Sequence, residues 1–94
     1  MADSSRNGRL SAGELGEAAL TTVEELTGYQ PEAVTALEWD GDLWRVKVDA
    51  LELSRIPNTT DVIGEYEIQL DDRGTLRGYR RTRRFVRGQP NEEV

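Results

Sequence analysis

The chain has 94 residues, a formal net charge of −6, 36% hydrophobic and 32% charged residues. This length predicts one small domain, and the composition is polar without being typical of disordered chains. The sequence contains no cysteine and no histidine, which excludes disulfides and thiolate sites and removes the commonest general base and metal ligand. No long apolar run is present, so we expect no transmembrane helix and a cytoplasmic location.

The first part of the chain is predicted to be a lead-in followed by one helix. Residues 1–10 are small and polar, which is typical of a disordered segment. Residues 11–28 favour a helix, because Ser11 and Glu14 have the spacing of a capping box and Gly28 suits a helix end. The apolar stripe of this helix is formed, at helical spacing, by Leu15, Ala19, Val23 and Leu26.

A β-hairpin is predicted next, since from residue 34 the apolar pattern changes to a period of two. Gly41 and Asp42 fit a two-residue loop, which pairs residues whose numbers sum to 83. The pairs are Trp39 with Trp44, Leu37 with Val46, Thr35 with Val48, and Glu38 with Arg45. The tryptophans are expected to be cross-strand neighbours on the side of the sheet that faces the helix.

The second strand of this hairpin does not keep its phase. Leu51 and Leu53 lie on the opposite side of the strand from Val48 and Ala50. We expect a bulge or strong twist near Asp49-Ala50 to turn both leucines toward buried surface.

A second hairpin is predicted around residues 71–74, where glycine occupies the left-handed position of a three-residue loop. The register then sums to 146. It pairs Leu70 with Leu76, Ile68 with Gly78, Gln69 with Arg77, Glu67 with Tyr79, and Glu65 with Arg81. The expected fold is α+β: an N-terminal helix packed on a four-stranded antiparallel β-meander, forming a single domain over 11–88 with a flexible tail over 89–94.

The last predicted strand is strongly basic. Residues 77–88 contain six arginines and no acidic residue, so the rest of the chain carries −12. We expect Arg81 to lie close to Glu65, and Arg83, Arg84 and Arg87 to be more accessible. The candidate partner-binding residues are Tyr79, Arg80, Arg83, Arg84, Phe85 and Arg87. Aromatic and arginine side chains interleaved on a strand also suit single-stranded nucleic acid, although the acidic remainder would repel phosphate.

No catalytic constellation stands out, and no cofactor or metal site is predicted. Asp40 and Asp42 flank the turn glycine Gly41, and Asp71 and Asp72 precede the turn glycine Gly74. All four are interpreted as turn residues rather than metal ligands. The serines and threonines have no histidine or well-placed lysine to activate them. The chain is therefore expected not to be an enzyme.

Residues 43–88 closely resemble the gas vesicle protein O family, a family of accessory proteins from gas vesicle gene clusters of actinobacteria and haloarchaea. The most specific stretches are ELSRIPNTTDV (52–62), YEIQLD (66–71) and GYRRTRRFVRG (78–88). The resemblance extends over roughly residues 17–88 and includes LTGYQPEAV (26–34). Phe85 departs from the family pattern, in which tyrosine is expected.

This resemblance implies a non-enzymatic protein that assists the assembly of gas-filled protein shells. It implies partners among the other gas vesicle proteins, both the shell protein and accessory proteins, and a cytoplasmic location associated with gas vesicles. Self-association is a further expectation. Some family members are linked to expression of the vesicle genes, so a nucleic-acid-binding regulator that uses the arginine-rich strand is the alternative function.

Overall fold

The computed structural model describes residues 9–94. The elements are α1 (Ala12–Thr27), β1 (Gln30–Trp39), β2 (Trp44–Leu53), a short 3-10 helix (Asn58–Thr60), β3 (Val62–Leu70), β4 (Leu76–Val86) and β5 (Gln89–Glu93). The strands form one antiparallel sheet in the order β1-β2-β3-β4-β5. The predicted α+β class is confirmed, with five strands instead of four.

The helix forms where its capping signals place it. Ser11 is the N-cap, and its side chain and that of Glu14 form the reciprocal hydrogen bonds of a capping box at 3.1 and 2.9 Å. Gly28 ends the helix in the left-handed conformation, with φ 77°. Leu15, Ala19 and Val23 are fully buried, whereas the stripe's last member, Leu26, is exposed.

The core lies between α1 and one side of the sheet, which we call the helix side; the opposite side is the open side. Helix α1 packs on β1, β2 and β3. The buried sheet residues of this core are Val46, Val48, Ala50, Tyr66, Ile68 and Leu70. Because side chains alternate along a strand, the residues between these point to the open side. In the described part of the chain, no helix is long and apolar enough to cross a membrane.

The first hairpin follows its predicted register only near the turn. Trp39 pairs with Trp44, and the rings lie on the helix side with centroids 5.4 Å apart, as predicted. Leu37–Val46 and Glu38–Arg45 are also confirmed. The pairing of Thr35 with Val48 is wrong, because the register shifts at Thr35 and Val34 takes that place. The Thr35 hydroxyl instead donates to the Lys47 carbonyl at 3.4 Å.

The break in β2 lies further along than predicted. Asp49 and Ala50 pair regularly with β3, and the register shift falls at Glu52, between Leu51 and Leu53. Leu51 is half-buried, but Leu53 is 42% exposed. The prediction that a bulge near Asp49-Ala50 buries both leucines is therefore wrong.

The register of the second hairpin also needs correction. Leu70 pairs with Leu76, as predicted, and Gly74 has φ 84°. The four other predicted pairs are wrong, because β4 contains two bulges, at Arg77 and Thr82. The observed pairs are Gln69–Gly78, Ile68–Tyr79, Glu67–Arg80, Tyr66–Arg81 and Glu65–Arg83. The Thr82 hydroxyl stabilises the second bulge by donating to the Glu65 carbonyl at 3.1 Å.

Both ends of the described chain differ from the expected lead-in and tail. The backbone N–H of Leu10 donates to the Asp72 carbonyl at 3.0 Å, and the Leu10 side chain packs against the core. Residues 1–8 lie outside the described residues. At the other end, β5 occupies the segment expected to be a flexible tail, but it pairs with β4 at only two positions, Phe85–Glu93 and Val86–Gln89.

Candidate functional site

The arginine-rich strand is held from the helix side by one buried carboxylate, Glu52. Its side chain is 2% exposed. Arg81 Nη1 and Arg84 Nε donate to Glu52 Oε1 at 2.8 and 3.0 Å, and the Tyr66 hydroxyl donates to Oε2 at 2.6 Å. These four residues are the Glu52 cluster. Burial, and then the hydrogen bond to Glu52, raises the pKa of Tyr66 far above its usual value.

A glycine on β3 makes this cluster possible. Alternation along β2 places Glu52 on the helix side, like Ala50, and its carboxylate lies next to Gly64. A Cβ atom added to Gly64 would lie 2.0 Å from Glu52 Oε2. The carboxylate thus fills the space that any other side chain at position 64 would need.

A second buried carboxylate, Asp61, fixes the end of β4 to the loop between β2 and β3. Asp61 Oδ2 accepts from Arg87 Nη2 at 3.1 Å, and Oδ1 accepts from the Arg55 backbone N–H at 2.8 Å. Arg87 Nη2 also donates to Glu32 of β1 at 2.7 Å. The Gly88 N–H donates to the Thr59 carbonyl at 2.7 Å. The two stretches 52–62 and 78–88 are therefore in direct contact through Glu52 and Asp61.

On the open side, Glu67 neutralises arginines from both neighbouring strands. Arg45 Nη1 donates to Glu67 Oε2 at 2.7 Å, and Arg80 Nη2 lies 3.8 Å from Oε1. The hydrogen bond from Gln69, followed by that from Arg45, lowers the pKa of Glu67. Glu67 is therefore ionised in the folded protein at neutral pH.

Arg83 and Phe85 are engaged with each other. The Arg83 guanidinium lies 4.4 Å from the centroid of the Phe85 ring, a cation–π contact. Arg83 Nη2 also donates to the Pro90 carbonyl at the start of β5. Phe85 pairs with Glu93 across the β4–β5 ladder. Both side chains are half-buried, so neither is an open platform for a base.

The structure divides the six candidate residues into two groups. Arg83, Arg84, Phe85 and Arg87 take part in the internal contacts described above. The prediction that Arg83, Arg84 and Arg87 are more accessible than Arg81 is wrong, because Arg83 is half-buried and the Arg84 and Arg87 side chains are each 38% exposed, against 46% for Arg81. The predicted Arg81–Glu65 pair is also wrong, since Arg81 bonds to Glu52. Tyr79 and Arg80 are the exposed members of the six: the Tyr79 residue is 45% exposed, and the Arg80 side chain is 68% exposed.

A cleft that the sequence did not predict lies at the end of the sheet nearest the β3–β4 turn. It has a volume of about 430 Å³ and is lined by Arg9, Leu10, Trp39, Trp44 and Asp72. Arg9 and Asp72 form an ion pair of 3.5 Å at its rim. In the sequence, only the tryptophan pair indicated a feature at this end of the sheet. The packing of Leu10 against the turn is a tertiary contact, and no local sequence pattern predicts it.

The turn carboxylates have structural partners. Asp40 Oδ1 accepts from the backbone N–H groups of Asp42 and Leu43 at 2.9 and 2.8 Å, and these bonds lower the pKa of Asp40. Asp71 Oδ1 accepts from the backbone N–H groups of Arg73 and Thr75 in the same way. Over residues 9–94, no group of three or more acidic residues is arranged to hold a metal ion.

Comparison with known proteins assigns the chain to a family. The family model described as gas vesicle synthesis protein GvpO matches residues 1–91. Gas vesicle protein O of Streptomyces sp. strain CB03234 is 44% identical over 70 residues, which cover 74% of this chain and 55% of that protein. The Haloferax mediterranei gas vesicle protein O is 39% identical over 77 residues, 81% of this chain and 55% of that protein.

Gas vesicle protein O1 of Halobacterium salinarum is 36% identical over 76 residues, 81% of this chain and 64% of that protein. The chain thus spans between 55% and 64% of the length of these curated relatives. No solved structure matches the fold significantly. On the evidence of the family model and these relatives, the chain belongs to the gas vesicle protein O family.

Proposed function

We propose that this protein is a non-enzymatic accessory protein of gas vesicle formation and that it acts through contacts with other gas vesicle proteins. The description of the matching family, gas vesicle synthesis protein, supports the role in vesicle formation. Its partners are the shell protein and other accessory proteins, and its place of action is the cytoplasm, in association with gas vesicles.

The observation that carries the proposed mode of action is the internal neutralisation of the arginine-rich strand. Glu52 accepts from Arg81 and Arg84, and Arg87 donates to two carboxylates. To bind phosphate, these arginines would have to leave short, partly buried ion pairs, which costs free energy. A nucleic-acid site needs several arginines free to contact phosphates.

The chemistry that remains exposed on the same strand suits a protein surface. Tyr79 and Arg80 are neighbours on β4 and present an aromatic ring on the helix side and a guanidinium on the open side. Tyrosine and arginine are enriched at the energetic centres of protein interfaces. The guanidinium fork pairs well with carboxylates, so an acidic protein surface is the natural partner.

The proposal is tested in a vesicle-forming host from which this protein's gene has been deleted. Complementation with the wild type should restore gas vesicles in electron micrographs. Arg80→Glu should restore fewer, because it reverses an exposed charge on β4. Arg55→Glu makes the same charge change on an exposed residue of the loop between β2 and β3, and it should complement like the wild type. Equal complementation by all three proteins would argue against a contact at Arg80.

The mode of action is tested separately by capture of the tagged protein from the same host, with and without nuclease. Recovery of gas vesicle proteins should be unchanged by nuclease if the contacts are between proteins. Loss of that recovery after nuclease treatment would favour the alternative, a nucleic-acid-binding regulator.

A further inference from the structure

Strands β1 and β4 of the sheet carry opposite charge. Residues 30–42, which include β1 and its turn, contain four acidic residues and no basic one. Strand β4 contains five arginines and no acidic residue. The sheet therefore has one acidic edge at β1 and one basic strand near the other edge.

Each of these strands has a stretch of main chain that pairs on one side only. Among residues 9–94, β4 pairs with β5 only at Phe85 and Val86, so its first half has β3 as its only strand partner. Strand β1 pairs only with β2 in the same part of the chain. Both register shifts of β1 lie before Ala36, which leaves the segment from Ala36 to Trp39 regular. Such half-paired strands are templates for adding another strand.

The two half-paired stretches lie at the same level of the sheet. The pairing places Trp39, Trp44, Leu70 and Leu76 in one row across the four strands. The next row on the helix side contains Leu37, Val46, Ile68 and Tyr79. If a second copy is shifted sideways across the strands, in the direction of these rows, its β1 lies beside β4 of the first copy. Since β1 and β4 run in opposite directions within one sheet, the new pair is antiparallel.

The side chains match on both sides of such a joint. On the helix side, Trp39 and Leu37 of one copy would meet Leu76 and Tyr79 of the other. Three of these four residues are substantially exposed in the single chain: Trp39 at 47%, Leu76 at 39% and Tyr79 at 45%. On the open side, Glu38 would lie opposite Gly78 and diagonally from Arg80, within reach of its long side chain. The joint would thus bury apolar surface and pair opposite charges.

We propose that the protein self-associates head to tail, with the β1 edge of one copy adding to the first half of β4 of the next. Self-pairing of two β4 edges would bring arginines together, and self-pairing of two β1 edges would bring carboxylates together. Both symmetric arrangements are disfavoured by like charge. The proposed contact uses different surfaces on the two copies, so it generates open chains or rings rather than closed dimers.

The contact should be weak and salt-sensitive. The regular part of β1 covers only four residues, and β4 has its bulge at Arg77 inside the joint, so the interface is far smaller than that of a permanent dimer. Exposed charge pairs are screened by salt, with a Debye length of about 8 Å at physiological ionic strength. Association should therefore require high protein concentration and weaken as salt is raised.

Sedimentation velocity over a concentration series at low and high salt tests the proposal. The wild type should show a weight-average sedimentation coefficient that rises with concentration without a plateau at the dimer, and rises less at high salt. Glu38→Arg and Arg80→Glu should each weaken association by about tenfold, because each places like charges across the joint. Glu25→Arg on α1 and Arg55→Glu make matched charge changes on surfaces outside the joint and should associate like the wild type.

A mixture of the two single variants, studied by the same sedimentation experiment, tests whether Glu38 and Arg80 meet across the joint. Arg80 of the Glu38→Arg protein can meet native Glu38 of the other variant, and the two substituted side chains can also pair. An equimolar mixture should therefore associate as the wild type does, although each variant alone does not. Thermal unfolding of each variant, followed by circular dichroism, checks that the fold is intact.

Three results would overturn the proposal. The first is a wild type that stays monomeric up to millimolar concentration at low salt. The second is a plateau at the dimer, which indicates a symmetric contact. The third is folded single variants whose mixture associates no better than either alone. In another outcome, the wild type fails to self-associate and instead captures another gas vesicle protein through Arg80. That result would assign the β4 edge to a different partner and would contradict the proposed contact between two copies.

Discussion

Glu52 and Arg81 are joined by a hydrogen bond of 2.8 Å across 29 residues of sequence. The pair connects the end of β2 with β4, two strands away, and β3 lies between them with Tyr66 as the third partner. This contact and the bond from Arg84 to Glu52 give two of the five arginines of β4 an internal carboxylate partner. Part of that positive charge compensates carboxylates that the fold has removed from water.

Glu52→Gln should destabilise the fold without changing its shape. The one amide oxygen of glutamine can replace either Oε1, which accepts from both arginines, or Oε2, which accepts from Tyr66. The substitution also removes the charge that compensates Arg81 and Arg84. Breaking a buried ion pair costs about 3–5 kcal/mol, and the partial exposure of both arginines reduces this to about 2 kcal/mol here. Urea unfolding measures the change. Tyr66→Phe, which removes only the hydroxyl, should cost about 1 kcal/mol; equal losses for the two variants would contradict the account.

Gly64→Ala should disrupt the Glu52 cluster. The new methyl group would lie 2.0 Å from Glu52 Oε2 and 3.0 Å from Tyr66 Cε1, so the carboxylate must move and lose its hydrogen bonds. We expect a loss of about 2 kcal/mol, similar to that of Glu52→Gln. In a Glu52→Ala background, the same change at position 64 should cost far less, because the clashing atoms are absent. Additive losses in this double-mutant cycle would refute the proposed cause.

Asp49→Asn should stabilise the protein at neutral pH. Asp49 is half-buried and pairs directly with Glu65 on β3. Burial, followed by repulsion from Glu65, raises the pKa of Asp49 above its usual value. A carboxyl whose pKa is raised on folding favours the folded state below its unfolded pKa and loses that contribution as pH rises through the folded pKa.

The gain from Asp49→Asn should therefore be present at pH 7, at a few tenths to about 1 kcal/mol once solvent screening is considered. It should shrink as pH falls and disappear below about pH 3, where aspartate is largely protonated in both states. Thermal unfolding at several pH values measures this dependence. Glu25→Gln on the exposed face of α1 is the control. A variant less stable than wild type at pH 7 would show that attraction from Arg83 and Arg87 outweighs burial and repulsion.

The sequence predicts those parts of the fold that depend on neighbouring residues. Ser11, Glu14 and Gly28 bound the helix correctly, and Gly41 and Gly74 mark the two turns. Pairing near each turn is predictable because the turn fixes it. Pairing fails beyond Thr35 and Arg77, where one extra residue shifts every later partner.

The candidate site was harder to predict because its contacts cross several strands. The Glu52 carboxylate occupies the space above Gly64, and neither residue signals this contact alone. The pairing of Arg87 with Asp61 and Glu32 depends on how the loop between β2 and β3 folds back. A pattern of alternating residues identifies β4 but carries no information about these distant carboxylates. Tyr79 and Arg80, which the sequence named as candidate partner-binding residues, are exposed, whereas the internal roles of Arg84 and Arg87 were not predicted.

We propose that the arginines of β4 serve the fold and protein contacts rather than the binding of phosphate. The test is fluorescence anisotropy of labelled single- and double-stranded DNA and RNA, titrated with the purified protein at physiological salt. We expect no binding tighter than about 100 μM, the weak end of non-specific association. Submicromolar binding that weakens steeply with salt, and that folded Arg80→Glu and Arg81→Gln variants lose, would contradict it.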